Sequence, residues 1–160
     1  MYDVNDKVVH SREGLSTIVA RTTMAGNDYF IIHADRGGGE NIYVLVNNTN
    51  NLIRPIMNKD EANEVIEYMK GVAAEFISNT KQRRDQYKRR LLSGNVRDLA
   101  YLSRQLYFYN YYNEQGQLVK LGPTDVQMLK DAETILFDEL AISFTVDREK
   151  VVDYVKKLLS

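Results

Sequence analysis

The hydrophobic period of this chain changes once, near residue 57, and that change limits its possible folds more than any other feature. Before it, apolar residues fall in short β-branched or aromatic runs: Val4, Val8 and Val9, then Leu15 to Val19, Tyr29 to His33, and Ile42 to Val46. Runs of this kind divided by turn-forming residues read as strands. Ala25-Gly26-Asn27-Asp28 can adopt positive φ, so the second and third runs are expected to pair as a hairpin. Gly37-Gly38-Gly39 offers a second, looser connection. Four or five short strands in so few residues make a sheet that is marginal alone and must lean on a neighbour.

From Asn58 the period becomes 3.6. Ala62, Val65, Ile66, Met69, Val72, Ala73, Phe76 and Ile77 keep the i, i+3, i+4, i+7 rhythm of one buried helical face. Asn58, with Glu61 three residues later, forms a capping box at its start. Ser93-Gly94-Asn95 breaks the next helix and caps another, in which Val96, Leu99, Ser103, Leu106 and Tyr107 share a face. Gly122-Pro123 opens a long helix, because proline is tolerated at the first helical position. A last helix follows Asp147. The expected fold class is α+β. Residues 1–57 form a small β module, a curled sheet of the SH3/Tudor-like type, and residues 58–160 form a compact bundle of about five helices.

Charge is as uneven as periodicity. The net charge is −1, yet residues 78–104 hold eight Lys/Arg against two acids, a local +6 that leaves −7 for the rest. A positive belt on an otherwise acidic protein is either a docking surface for a polyanion or acidic protein face, or a solvated helix face. The absence of cysteine excludes disulfides, thiolate metal sites and a Cys nucleophile. Met1 to Asp6 is acidic and lacks the apolar core of a signal peptide, and no apolar run approaches the ~20 residues of a membrane span. The expected compartment is the cytoplasm, with no membrane partner.

Catalytic groupings are missing. His10 and His33 lie in expected strands with no carboxylate at ligand spacing, which disfavours a metal site. Asp35-Arg36-Gly37-Gly38-Gly39-Glu40 is glycine-rich but lacks both the Lys-Ser/Thr and the helix of a phosphate loop. Asp138-Glu139 are adjacent on a helix and point to different faces. The residues read as a binding protein, not an enzyme, with no cofactor and no small-molecule substrate.

A β module followed by a basic helical bundle resembles the CarD/CdnL family of bacterial transcription regulators. Asp6-Lys7-Val8-Val9 followed by Gly14 resembles the family's opening strand and glycine turn, and Ile53-Arg54-Pro55 its junction into the helices. Arg83 through Tyr87 to Ser93-Gly94-Asn95-Val96 resembles its basic helix and break. Met128-Leu129, Ala132, Leu136 and Glu139-Leu140 match the spacing of its fourth helix.

The resemblance implies an N-terminal module that binds the β subunit of RNA polymerase by adding strand edge to strand edge, through strands around residues 28–46. Arg21 stands close to one arginine that members use there, and Tyr43, Val44 and Leu45 lie near the position of a second. It also implies a helical domain that holds promoter DNA sequence-tolerantly, through phosphates and a tryptophan wedged into the minor groove. Arg83, Arg84, Lys88, Arg89 and Arg90, with Tyr87 among them, are the expected phosphate contacts. The chain has no Trp, and Thr80 stands at the wedge position.

Tyr107-Phe108-Tyr109-Asn110-Tyr111-Tyr112 reads first as a helix end packing its rings on neighbours, and second as a stacking platform beside basic residues. The rival to the regulator reading is a Trp-less paralogue, an interaction module that binds polymerase or another partner without touching DNA. An RNA-binding Tudor/SH3-like protein is a third, although no RNP-like or GXXG signature is present.

Overall fold

A computed structural model describes residues 1–47, 49, 52–108 and 111–159. It has an N-terminal five-stranded antiparallel sheet followed by five helices, the expected α+β arrangement. The strands are β1 (Lys7–His10), β2 (Gly14–Met24), β3 (Asn27–Ala34), β4 (Ile42–Leu45) and β5 (Ile53–Pro55). Their order is β4-β3-β2-β1-β5, so the last strand returns beside the first and β4 is left at one edge.

β2 and β3 form the expected hairpin. Ala25 (φ 51°) and Gly26 (φ 81°) are consecutive left-handed residues, which is the turn geometry that matches strand twist. A bulge between Ile18 and Ala20 turns Val19 outward. The inner face carries Val8, Ile18, Phe30, Ile32, Val44 and Ile53, with Tyr2 set edge-on against Phe30.

The helices are α1 (Lys59–Lys70), α2 (Thr80–Ser93), α3 (Val96–Leu106), α4 (Pro123–Phe144) and α5 (Arg148–Leu159). The Asn58–Glu61 capping box is present in both directions. Gly94 closes α2 at φ 68°, and the Asn95 side chain caps α3. Leu99, Leu102, Leu129, Leu136, Phe137, Leu140 and Val155 form the heart of the bundle.

Two local expectations are corrected. The apolar rhythm through Ile77 predicted a longer first helix, but α1 stops at Lys70, where the Gly71 N–H bonds the carbonyls of Tyr68 and Met69. The fully buried Gln105 then holds the next segment open. Its Nε2 donates to the Ala73 carbonyl (2.8 Å) and its Oε1 accepts from the Glu75 N–H (3.0 Å). Tertiary hydrogen bonding here overrides helical periodicity. In the aromatic stretch, α3 ends at Leu106, and β6 (Tyr111–Tyr112) pairs with β7 (Leu118–Val119) as a small hairpin in place of a helix end. Tyr109 and Asn110 of that stretch lie outside the described residues.

The sheet and the bundle meet through specific bonds. Glu139, fully buried, accepts two 2.7 Å bonds from Arg54 and one of 2.8 Å from the Met57 N–H. Arg54 Nε also donates to the Gly94 carbonyl at the end of α2 (3.0 Å). Asp138 is held between Arg36 of the sheet module and Arg148 of α5. A Cβ at Gly94 would lie 3.0 Å from the Ser11 Cα, so backbone meets backbone at this seam.

Candidate nucleic-acid interface and sheet edge

The basic helix α2 divides its cations between inside and outside. Arg83 and Tyr87, one turn apart, are buried at 6% and 1% exposure. Arg83 pairs with the fully buried Asp125 of α4 (3.0 Å), donates to the Ile77 carbonyl (2.8 Å), and lies over the Phe76 ring at 4.9 Å. Burial, reinforced by the Asp125 charge, pushes the Tyr87 hydroxyl up to about 12. Arg90 pairs with Asp98 (2.8 Å) and stacks over Tyr101 at 3.9 Å. The expectation that Arg83 and Tyr87 face phosphates is therefore corrected, whereas Arg90 is half-buried and its side chain keeps 27% exposure. A bare guanidinium inside the bundle would be costly, and Arg83 finds a carboxylate and an aromatic ring there.

Outside, Lys81, Arg84, Lys88 and Arg89 are exposed. Lys81, Arg84 and Lys88 follow the i, i+3, i+7 spacing of one helical stripe. Arg84 is 3.7 Å from Asp125, and the other three make no ion pair among the described residues. Thr80, the first residue of α2, is exposed at its tip. The first turn of α2 carries no acid, so the positive end of its dipole adds to the potential of the stripe. The arrangement can hold a row of anionic groups; Arg84, Lys88 and Arg89 of the expected set remain on it, joined by Lys81.

The expected polymerase-facing residues also divide. Cross-strand partners share a face of a sheet. Tyr29, Ile31, Tyr43 and Leu45 form the outer face at β3 and β4, with Tyr43 44% and Leu45 37% exposed and Tyr29 edge-on to Tyr43. Val44 is 1% exposed, within the β core, so its expected surface role is corrected by the alternation of the strand. Arg21 is exposed but registers with Phe30, placing it on the opposite face from Tyr43; it pairs with Asp28 at 3.2 Å. β4 has no further strand beside it among the described residues, so its outer backbone groups form an open edge.

His10 is buried, and its Nδ1 accepts from the backbone N–H groups of Arg12 and Glu13, both at 3.2 Å. Desolvation lowers its pKa below 6.5. His33 is bonded to Asn41 (2.7 Å). Among the described residues no group of three or more His, Asp and Glu could hold a metal, and no helix is long and apolar enough to cross a membrane.

Sequence reasoning missed the β6–β7 hairpin, although Asn113 to Gly116 between Tyr-Tyr and Leu-Val pairs was a usable turn signal. It also missed the Arg54–Glu139 seam, for which spacing in the chain gives no clue.

No curated protein matches the chain in a sequence search. Residues 64–156 match the family described as CarD, C-terminal domain. The matched segment covers more than half of the sequence and contains α2, α3, α4 and the cationic stripe, and on this ground the chain belongs to the CarD family of transcription-related proteins.

Proposed function

We propose that this protein is a CarD-like transcription regulator that joins the RNA polymerase β subunit to promoter DNA and modulates initiation. The observation that supports it most is the exposed stripe Lys81, Arg84 and Lys88, with exposed Arg89 beside it, on a helix whose final turn is bonded through Gly94 to Arg54 of the β module. Residues 1–57 would offer the open β4 edge, with Tyr43 and Leu45, to a strand of the β subunit. Residues 58–160 would hold promoter phosphates without reading bases, and Arg21 would act from the other face of the sheet. The CarD family is regulatory and non-enzymatic, so binding is the activity to measure.

The test uses the full chain with a promoter duplex and an isolated β-subunit lobe. Four phosphate contacts give a slope of log K against log salt of about −3.6. Changing Lys81, Arg84, Lys88 and Arg89 together to Gln should remove that slope and spare lobe binding. Tyr43→Ser with Leu45→Ser should do the reverse. DNA binding as strong at high salt as at low would overturn the DNA half of the reading.

The second reading, an interaction module without DNA contact, draws on one observation: Arg83 is buried on Asp125, and Arg90 is already paired with Asp98. On that reading the quadruple Gln variant keeps full transcriptional effect.

A further inference from the structure

The cationic stripe of α2 runs into an apolar notch at the seam between sheet and bundle. Leu92 lies one turn beyond Lys88 and continues the row Lys81, Arg84, Lys88 on the same helical face. Its side chain, 43% exposed, lines a cavity of about 340 Å³ between the end of α2 and the β module. The β module contributes Leu52, 39% exposed, and the buried Val9 and Ile53 to the same lining. Single exposed leucines are ordinary, but two converging on one cavity form an apolar patch with no use in the fold.

The notch and the stripe ask for different chemistry in one ligand. Among the described residues lining the notch, Arg54 alone is charged, and its guanidinium already holds Glu139 and the Gly94 carbonyl. A phosphate placed there meets leucines and a committed cation. One turn away Lys88, and then Arg84 and Lys81, are exposed, and Asp85 is the one acid in α2. From Leu92 the row extends about 6 Å to Lys88 and about 16 Å to Lys81 along the helix axis. An extended chain covers that distance with about five residues.

We infer that this surface binds an acidic peptide with one bulky apolar side chain, which seats in the notch while neighbouring carboxylates lie along Lys88, Arg84 and Lys81. Charge complementarity requires an anion, and the two leucines require an apolar group close beside it. A peptide supplies both at adjacent positions, whereas the phosphate backbone of a duplex supplies only the first. The inference goes beyond the DNA contact proposed above: peptide and promoter share the stripe and exclude one another.

The probe is a fluorescein-labelled peptide of one Phe followed by four Glu, titrated with the full chain at low salt and read by fluorescence anisotropy. It should bind, and replacing its Phe by Ala should weaken it about tenfold. Leu52→Ser with Leu92→Ser should cause the same loss toward the Phe peptide and leave the Ala peptide unaffected, a pattern that general damage to the fold cannot give. Leu92→Met should retain affinity. Lys88→Gln should weaken both peptides and reduce their salt dependence. A promoter duplex should displace the Phe peptide. No binding of that peptide, equal affinity for the Phe and Ala peptides, an equal loss for both in the double Ser variant, or no effect of Lys88→Gln overturns the inference. Peptide and duplex bound together also overturn it, because the peptide then lies off the stripe. A duplex that does not bind at all overturns the DNA reading alone, and the peptide series still decides the inference.

Discussion

Arg54→Met should cost the folded state about 3 kcal/mol, and the structure sets that figure. Glu139 is fully buried and would keep only the Met57 N–H of its three donors. Removing one partner of a buried ion pair costs about 3–5 kcal/mol, because the other charge is stranded. The Arg54 side chain retains 26% exposure, so water already screens part of the pair and the lower end applies. At about 2–4 °C per kcal/mol for a chain of this size, the melting temperature should fall by about 6–12 °C. The paired replacement Arg54→Met with Glu139→Leu strands no charge and loses mainly the acceptor for Met57, about 1 kcal/mol. It should recover most of the loss. Urea and thermal melts followed by far-UV circular dichroism measure both variants. An Arg54→Met cost below about 1 kcal/mol, or a double variant no better than the single, would refute the claim that this pair locks the sheet to the bundle.

Three other outcomes follow from the same geometry. Gly94→Ala should cost more than Gly26→Ala in urea melts: both residues have positive φ, at about 1–2 kcal/mol of strain, but only Gly94 also presses a Cβ against the Ser11 backbone. Arg83→Gln should destabilise the bundle by about 3 kcal/mol with the salt slope of DNA binding intact, whereas Lys88→Gln should reduce the slope by about 1 and leave the melt unchanged. His10 has a pKa lowered by burial, so the unfolded chain takes up its proton first as pH falls. Its contribution is complete above about pH 6.5 and is lost as pH drops through the folded-state value. His10→Asn should flatten the stability profile between pH 7 and 5.

Periodicity carried most of the architecture. The β-branched and aromatic run of β3 and the 3.6-residue spacing in α4 are local signals, and Gly94, Gly122-Pro123 and Asn58 announce their boundaries in the residues themselves. The α1 end was hidden because Gln105, which holds the following segment open, lies thirty positions beyond the Glu75 it binds. The charge run marked α2 correctly as basic but could not say which cations point inward. Arg83 and Tyr87 occupy the face toward Asp125, and that face is defined by α4, not by α2. Val44 could have been separated from Tyr43 and Leu45 by strand alternation alone, and the structure places it accordingly.

Gln105 also governs how this surface can change through descent. One side-chain amide reads two backbone groups, Ala73 and Glu75, much as a neighbouring strand would. A residue inserted or deleted between Gly71 and Ala73 would slide both groups out of reach and strand a buried amide, a penalty of about 1–3 kcal/mol. The α1–α2 passage is therefore a loop of fixed length despite lying among exposed residues. The Asn113–Gln117 turn, whose bonds close on themselves, has no such distant reader and is where lengthening is tolerated.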